Sequence, residues 1–241
     1  MFDVDDAIWV PYESDFSAEI ARRCDGVIAG NRFLAEHYER LGAKVWLVPT
    51  SVDADVWRPV NKVSGQWTIG WTGSSANLRF LYAIEQPLTE FLATHPDSRL
   101  LIVCNRRPSF ERLQADRWDF AFWSMENEVR HVQRMDVGLM PLADSELARG
   151  KCGFKMLSYM AVGLPVIVSS VGVNQEILAR GELGLSANFN DEWYQALERL
   201  YDNRELSARM GAAGRRVAEE HYSVKANVVK LASIFREVAE S

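Results

Sequence analysis

Ser145 to Glu176 reads SELARGKCGFKMLSYMAVGLPVIVSSVGVNQE, and this stretch decides the fold. Its residues predict a glycine-broken loop, a helix from about Phe154 to Ala161, a Gly-Leu-Pro turn, a buried strand Val166 to Val168, and a second turn through Gly172. The loop Gly150, Lys151, Cys152, Gly153 delivers the chain to a helix N-terminus. There, unpaired backbone N–H groups and the positive end of the macrodipole face outward. Such an end receives phosphate readily, and Lys151 in the loop and Lys155 in the first turn strengthen it. The nearby glycines let a bulky anion approach the backbone. A lysine in the first turn opposes the macrodipole, so a purely structural helix would sooner carry Asp or Glu there. The pattern therefore favours an anion ligand. It matches neither Walker A nor the dinucleotide fingerprint, and on these residues alone the structural reading stays open beside the phosphate one.

Outward from this stretch, strands and helices alternate. Phe2 to Ala7 predicts a short acidic strand, and a helix follows from about Ser14 to Cys24. Strand Gly26 to Ala29 leads to a helix that Asn31 can cap and Gly42 can stop, and Lys44 to Pro49 predicts a buried strand. Thr50 to Gly65 has no periodicity and marks a boundary. Beyond it come strand Trp67 to Trp71, the turn Thr72-Gly73-Ser74-Ser75, and a helix from about Asn77 to His95 with a break near Pro87. Strand Arg99 to Cys104, a helix Arg106 to Leu113, strand Asp119 to Phe122, an amphipathic helix Met125 to Arg134 and strand Val137 to Met140 complete the approach. After it, helices are predicted at Gln175 to Leu178, Glu192 to Tyr201, Arg204 to Glu220 and Val224 to Glu240. This alternation is the signature of an α/β, Rossmann-like, doubly wound parallel sheet, preceded by a partial second α/β unit. In such a sheet ligands sit beyond the carboxyl ends of the strands. The loops at Gly73-Ser74, Asn105, Trp123-Ser124, Gly150-Lys151 and Gly172 follow predicted strands and are expected on one rim.

The 241 residues suffice for one large domain or two small ones, with 48% apolar and 25% charged residues, as in ordinary globular proteins. A formal charge of -6 and the lack of a basic run argue against a nucleic-acid partner. Cys24, Cys104 and Cys152 are odd in number and widely spaced, which argues against a disulfide framework and for a reduced, cytoplasmic setting. No apolar run approaches the roughly 20 residues of a membrane span, and no signal peptide opens the sequence. Peripheral membrane contact stays open. Asp3 and Asp5 have a spacing that can serve a divalent metal, but without a supporting carboxylate or histidine cluster they read as a strand end with a capping Asp. Cys152 stands beside two lysines, an environment that lowers a thiol pKa, yet it reads as a bystander. His37, His95, His131 and His221 are isolated, and none reads as a catalytic base.

Ordered motifs then accumulate: Asp136 to Leu142, Gly153-Phe154-Lys155, Tyr159 to Val166, Val171 to Asn174 with Glu176, Glu192-Trp193, Met210-Gly211 and Gly214-Arg215. Together they resemble the donor-binding domain of retaining GT-B glycosyltransferases of family 4, from about Trp67 to the C-terminus. Asp3 to Asp6, Asp25 to Asn31 and Val48 to Asp53 resemble the last third of that family's N-terminal, acceptor-binding domain. The resemblance implies three parts: residues 1–60, a partial N-terminal acceptor-type unit; 61–220, the nucleotide-sugar domain; and 221–241, a helix crossing back to the first. It further implies hexosyl transfer from a nucleotide-diphosphate sugar such as a UDP or GDP sugar, with retention of configuration and no obligatory metal. Gly73 and Ser74 would offer N–H groups to phosphate, with Arg79 a further diphosphate candidate. Asn105 and Trp123-Ser124 would flank the base. Lys151 and Lys155, in the run Gly150, Lys151, Cys152, Gly153, Phe154, would sit by the diphosphate, and Glu176 near sugar or ribose hydroxyls. Many members carry two glutamates eight positions apart where this chain has Gly150 and Ser158, so those contacts are lost or are supplied by Glu146 or Ser158 itself.

Two functions from different classes follow. One is a glycosyltransferase, incomplete as an enzyme in this chain, because GT-B catalysis needs a cleft closed by two domains. The other is a non-catalytic nucleotide or nucleotide-sugar binding module that associates with a partner chain or with itself. Sugar-nucleotide epimerisation is weaker, since no acid/base pair stands out. The acceptor is not legible.

Overall fold

The computed structural model describes residues 1–11, 15–62 and 65–240. Ser14, read as a helix start, and Val63 and Ser64 of the boundary stretch lie outside the described residues. The order is β1 (Phe2–Val4), α1 (Phe16–Arg22), β2 (Val27–Ala29), α2 (Arg32–Arg40), β3 (Val45–Leu47), β4 (Trp67–Gly73), α3 (Leu78–Tyr82), α4 (Glu85–Thr94), β5 (Ser98–Cys104), β6 (Trp118–Phe122) and α5 (Glu128–Val132). It continues with β7 (Val137–Met140), α6 (Glu146–Arg149), α7 (Phe154–Ala161), β8 (Val166–Val168), α8 (Val173–Leu178), β9 (Gly184–Ser186), α9 (Asn190–Asp202), α10 (Arg204–His221) and α11 (Val224–Ala239).

Two parallel sheets result. The first has the order β1-β2-β3; the second has six strands in the order β6-β5-β4-β7-β8-β9. Strand order in the second sheet reverses between β4 and β7, which makes their carboxyl ends the topological switch point. Alternation along β5 shows why helices cover both faces: Leu100, Ile102 and Cys104 join one core with α3, α4 and α9, while Leu101 and Val103 join the other with α5, α7 and α8.

The first sheet is tied to the second through main chain and side chains. Val52 forms a parallel bridge with Ser223, donating to Tyr222 O at 2.8 Å and accepting from Val224 N at 3.1 Å. Arg215, on α10, donates to the carbonyls of Trp57 and Ala161, and to that of Ala54 at 2.9 Å. Helix α11 reaches β3 through Lys44 and Glu237, 2.6 Å apart, and through Lys230 Nζ, which donates to Leu47 O at 2.5 Å.

Two sequence expectations change. Residues 106–113 are not helical; the N–H groups of Arg112 and Leu113 donate to Glu85 Oε1 at 2.6 and 3.0 Å, so a side chain takes the place of a helical ladder. Strand β3 is an edge strand with Leu47 40% exposed, not a buried one. The break expected near Pro87 is present between α3 and α4, and Pro87 itself falls in the first turn of α4, where a missing N–H costs nothing. Short elements with weak periodicity, α6 and β9, escape the sequence reading.

Candidate functional site

A cleft of about 440 Å³ opens at the switch point. One wall comes from the carboxyl ends of β4, β5 and β6, which supply Thr72, Gly73, Ser74, Asn105 and Trp123. The loop before α7 supplies Lys151, Cys152 and Gly153, the first turn of α7 supplies Phe154 and Lys155, and the segments after β1 and β3 of the first sheet contribute Asp5, Asp6 and Thr50. The site therefore lies between the two sheets.

Helix α7 begins without a side-chain cap. Gly153 precedes it at φ +75°, a left-handed conformation that favours glycine, and the first-turn N–H groups are left to another partner. The helix is fixed from behind. Tyr159 packs its ring across Gly138, whose missing side chain makes the room, and its hydroxyl accepts from Thr72 N at 2.8 Å. Thr72 Oγ1 in turn donates to Glu128 Oε1 at 3.1 Å. The turn after β4 is thus held to α7 and α5, and Asn105 Oδ1 secures it again by accepting from Ser75 N at 2.7 Å.

Gly73 has a role that its backbone freedom does not explain. A Cβ there would stand 2.7 Å from Lys155 Cε and 2.8 Å from the Trp71 ring, so the lysine stem crosses the strand end only because the residue is glycine. The Lys155 ammonium lies 5.9 Å from the Trp71 ring centroid and has no hydrogen-bond or ion-pair partner among the described residues. It keeps part of its surface open to the cleft but is packed densely enough that burial, with Lys151 adding repulsion, lowers its pKa to about 8. Lys151 faces Asp6 Oδ1 at 3.7 Å. A bound anion would relieve both ammonium groups.

Cys152 has no lowered pKa. Burial pushes its thiol up to about 12, with the charges of Asp5 and Asp6 adding to the rise and hydrogen bonds to Thr50 and Asn31 opposing it, against the expectation drawn from the neighbouring lysines.

Nine of the sequence-predicted site residues line the cleft: Gly73, Ser74, Asn105, Trp123, Lys151, Cys152, Gly153, Phe154 and Lys155. The other five do not. Arg79 is exposed and lies over the Phe80 ring. The Ser124 amide donates to Asn127 Oδ1, within its own turn. Gly150 is packed against Ala7, and the buried Ser158 hydroxyl donates to Phe154 O at 2.9 Å. Glu176 is exposed on α8, near Tyr222, while Val173, Asn174 and Ile177 are the residues of that helix that pack inward. Conversely, Asp5, Asp6, Thr50, Thr72, Asn77, Glu128 and Met140 line the cleft without having been read as site residues. The paired acids of residues 5 and 6 were the only signal, and their partner lysines are remote in sequence. No group of three or more His, Cys, Asp or Glu placed to hold a metal occurs among the described residues.

The fold is similar to sucrose-phosphate synthase from Thermosynechococcus elongatus, at 19% identity and a TM-score of 0.74, over 93% of this chain and 61% of that one. It is also similar to Anabaena HepE, solved with UDP and glucose, at 12% identity and a TM-score of 0.75, over 98% of this chain and 70% of that one. The C-terminal domain of LpcC, a glycosyl transferase group 1 family protein from Francisella tularensis, matches at 16% identity and a TM-score of 0.60, over 72% of this chain and 100% of that one. At these identities the likeness establishes the Rossmann-like GT-B fold, and the chain spans 61% of the length of the synthase. No curated protein matches the sequence. The profile described as Glycosyl transferases group 1 matches residues 67–203, more than half of the chain, and the protein therefore belongs to the group 1 glycosyl transferases.

Proposed function

We propose that the cleft binds a nucleotide-diphosphate sugar, with the diphosphate between the α7 N-terminus and the turn after β4, and that the protein transfers a hexosyl group with retention of configuration. The observation that carries this reading is the convergence of Lys151, Lys155, an uncapped helix start and a strand-end turn on one cleft. Cations and oriented amides of this kind stabilise the charge that grows on a departing nucleoside diphosphate, which makes the leaving group competent without an obligatory metal. HepE, solved with UDP and glucose, supports a uridine nucleotide. The three free cysteines support a reducing, cytoplasmic compartment.

Calorimetric titration with UDP, GDP and ADP tests the binding step. One of the three should bind the unaltered protein, and Lys151→Ala and Lys155→Ala should each weaken it by ~1–3 kcal/mol, the range for hydrogen bonds to charged groups. Failure of all three to bind, or affinity unchanged from the unaltered protein in both variants, would refute the assignment. Product anomers assigned by NMR decide between retention and inversion.

A second reading, a nucleotide-sugar binding module completed by a partner chain or a second copy, is favoured by the small first sheet, whose outer strand β1 pairs on one side only among the described residues. Sedimentation over a range of protein concentrations separates the two: a monomer throughout, with turnover of a nucleotide sugar, counts against it.

A further inference from the structure

Position 150 is where the N-terminal segment enters the cleft. A Cβ on Gly150 would stand 2.4 Å from Ala7 Cβ and 2.8 Å from the Ala7 nitrogen, so no side chain fits there while residues 5–7 keep their path. Asn31 holds the other side of the same loop, its Nδ2 donating to the carbonyls of Gly150 and Lys151 at 3.1 Å each. The missing side chain at 150 thus admits the very segment that carries Asp5 and Asp6 to the cleft wall.

Of the residues that the sequence offered in place of the two family glutamates, neither lines the cleft. Glu146 Oε1 accepts from Trp9 Nε1 at 3.0 Å, and the Ser158 hydroxyl is buried against the Phe154 carbonyl. Asp6 lines the cleft. Its Oδ1 lies 3.7 Å from Lys151 Nζ, beyond hydrogen-bond length, and is buried without a hydrogen-bond partner among the described residues. Burial raises the pKa of this carboxyl, and Lys151 opposes the rise. With Oδ1 buried, the half-exposed Asp6 side chain presents its other carboxylate oxygen, and a sugar hydroxyl is the donor that a nucleotide sugar would bring there.

We propose that Asp6 reads the hydroxyl groups of the transferred sugar, supplying from the first sheet the carboxylate for which the loop at Gly150 leaves no room. This rests on the nucleotide-sugar reading of the cleft. The negative charge also sets a specificity: neutral hexoses fit beside it and uronic acids are repelled.

The test compares the unaltered chain with Asp6→Asn, by calorimetry against UDP, GDP and ADP and against UDP-glucose, UDP-N-acetylglucosamine, GDP-mannose and ADP-glucose. For the nucleotide that binds, the readout is the affinity of the sugar conjugate divided by that of the free diphosphate. Asp6→Asn should lower this ratio by about tenfold or more, as expected for losing a hydrogen bond to a charged group. The affinity for the free diphosphate should stay level or rise, because Lys151 loses its counter-ion; it also certifies that the variant is folded. An unchanged ratio for every conjugate overturns the inference, as does a parallel loss of both affinities. If the unaltered chain binds no diphosphate, the functional reading itself fails and takes the role of Asp6 with it.

Discussion

Lys155 keeps its ammonium group in a place that disfavours the charge, with burial and Lys151 together bringing its pKa to about 8. The sign of the consequence is fixed. A bound diphosphate stabilises the charged form, whereas the free protein loses the proton above pH 8, so binding there must take a proton up. Affinity should therefore be level below about pH 8 and fall by up to about tenfold per unit above it. Titrations in buffers of different ionisation enthalpy should reveal the proton uptake, and Lys155→Arg should flatten the profile. Gly73→Ala probes the same lysine from its stem. The added methyl meets the fixed Trp71 ring and the flexible Lys155 side chain, so the lysine yields and the ammonium moves. A destabilisation of about 1–3 kcal/mol in urea, with weakened diphosphate binding, is expected. Cys152 gives a chemical check on burial. With its thiol pKa pushed up to about 12, it should be alkylated by iodoacetamide at pH 8 far more slowly than the half-exposed Cys24, as peptide mass spectrometry would show.

At the scale of elements, α2 and α7 owe their positions to single side chains. Asn31 caps α2, its Oδ1 accepting from Leu34 N at 2.9 Å, while its Nδ2 donates to main-chain oxygens of residues 149–151. Both ends of the amide are in use. Asn31→Asp keeps the cap but sets a second acceptor against three carbonyls, so it should destabilise more than Asn31→Ala, which loses the cap at about 1 kcal/mol and the amide donor besides. The reverse order in chemical denaturation would show that the cap, not the bridge to the loop, is what matters. On α7, Tyr159→Phe removes the acceptor of the buried Thr72 N–H. The expected cost is about 1–3 kcal/mol, with loosening of the turn that carries Gly73 and Ser74.

For the whole molecule, the decisive question is how the small first sheet is held to the large second one. Arg215 gathers the carbonyls of Ala54, Trp57 and Ala161, and the Val52–Ser223 bridge fastens the connecting segment to the start of α11. Arg215→Met should leave three main-chain acceptors without their shared donor, at a cost of about 2–3 kcal/mol. Unfolding of the unaltered chain should be a single transition by circular dichroism and tryptophan fluorescence alike, because the cleft has walls from both sheets and Gly150 packs on Ala7. Two separated transitions would mean that the sheets fold independently.

The sequence by itself determined the alternation of strands and helices, the core strands and the helix of the Gly150–Ala161 stretch, because burial and turn chemistry act over a few neighbouring residues. Lys151 and Lys155 were legible for the same reason: they share one short loop and helix start with the glycines that expose it. The break near Pro87 was legible too, since a proline is tolerated in a first turn and not further inside a helix. What only the tertiary structure decided is which groups meet across the cleft. Asp6 and Lys151 are brought together by the packing of Ala7 on Gly150, Glu128 reaches Thr72 from a helix two strands on, and Glu176 stays exposed while Val173, Asn174 and Ile177 of α8 pack inward. Such meetings depend on how two sheets dock, and docking is set by surface shape and carbonyl-gathering side chains rather than by any local spacing in the chain.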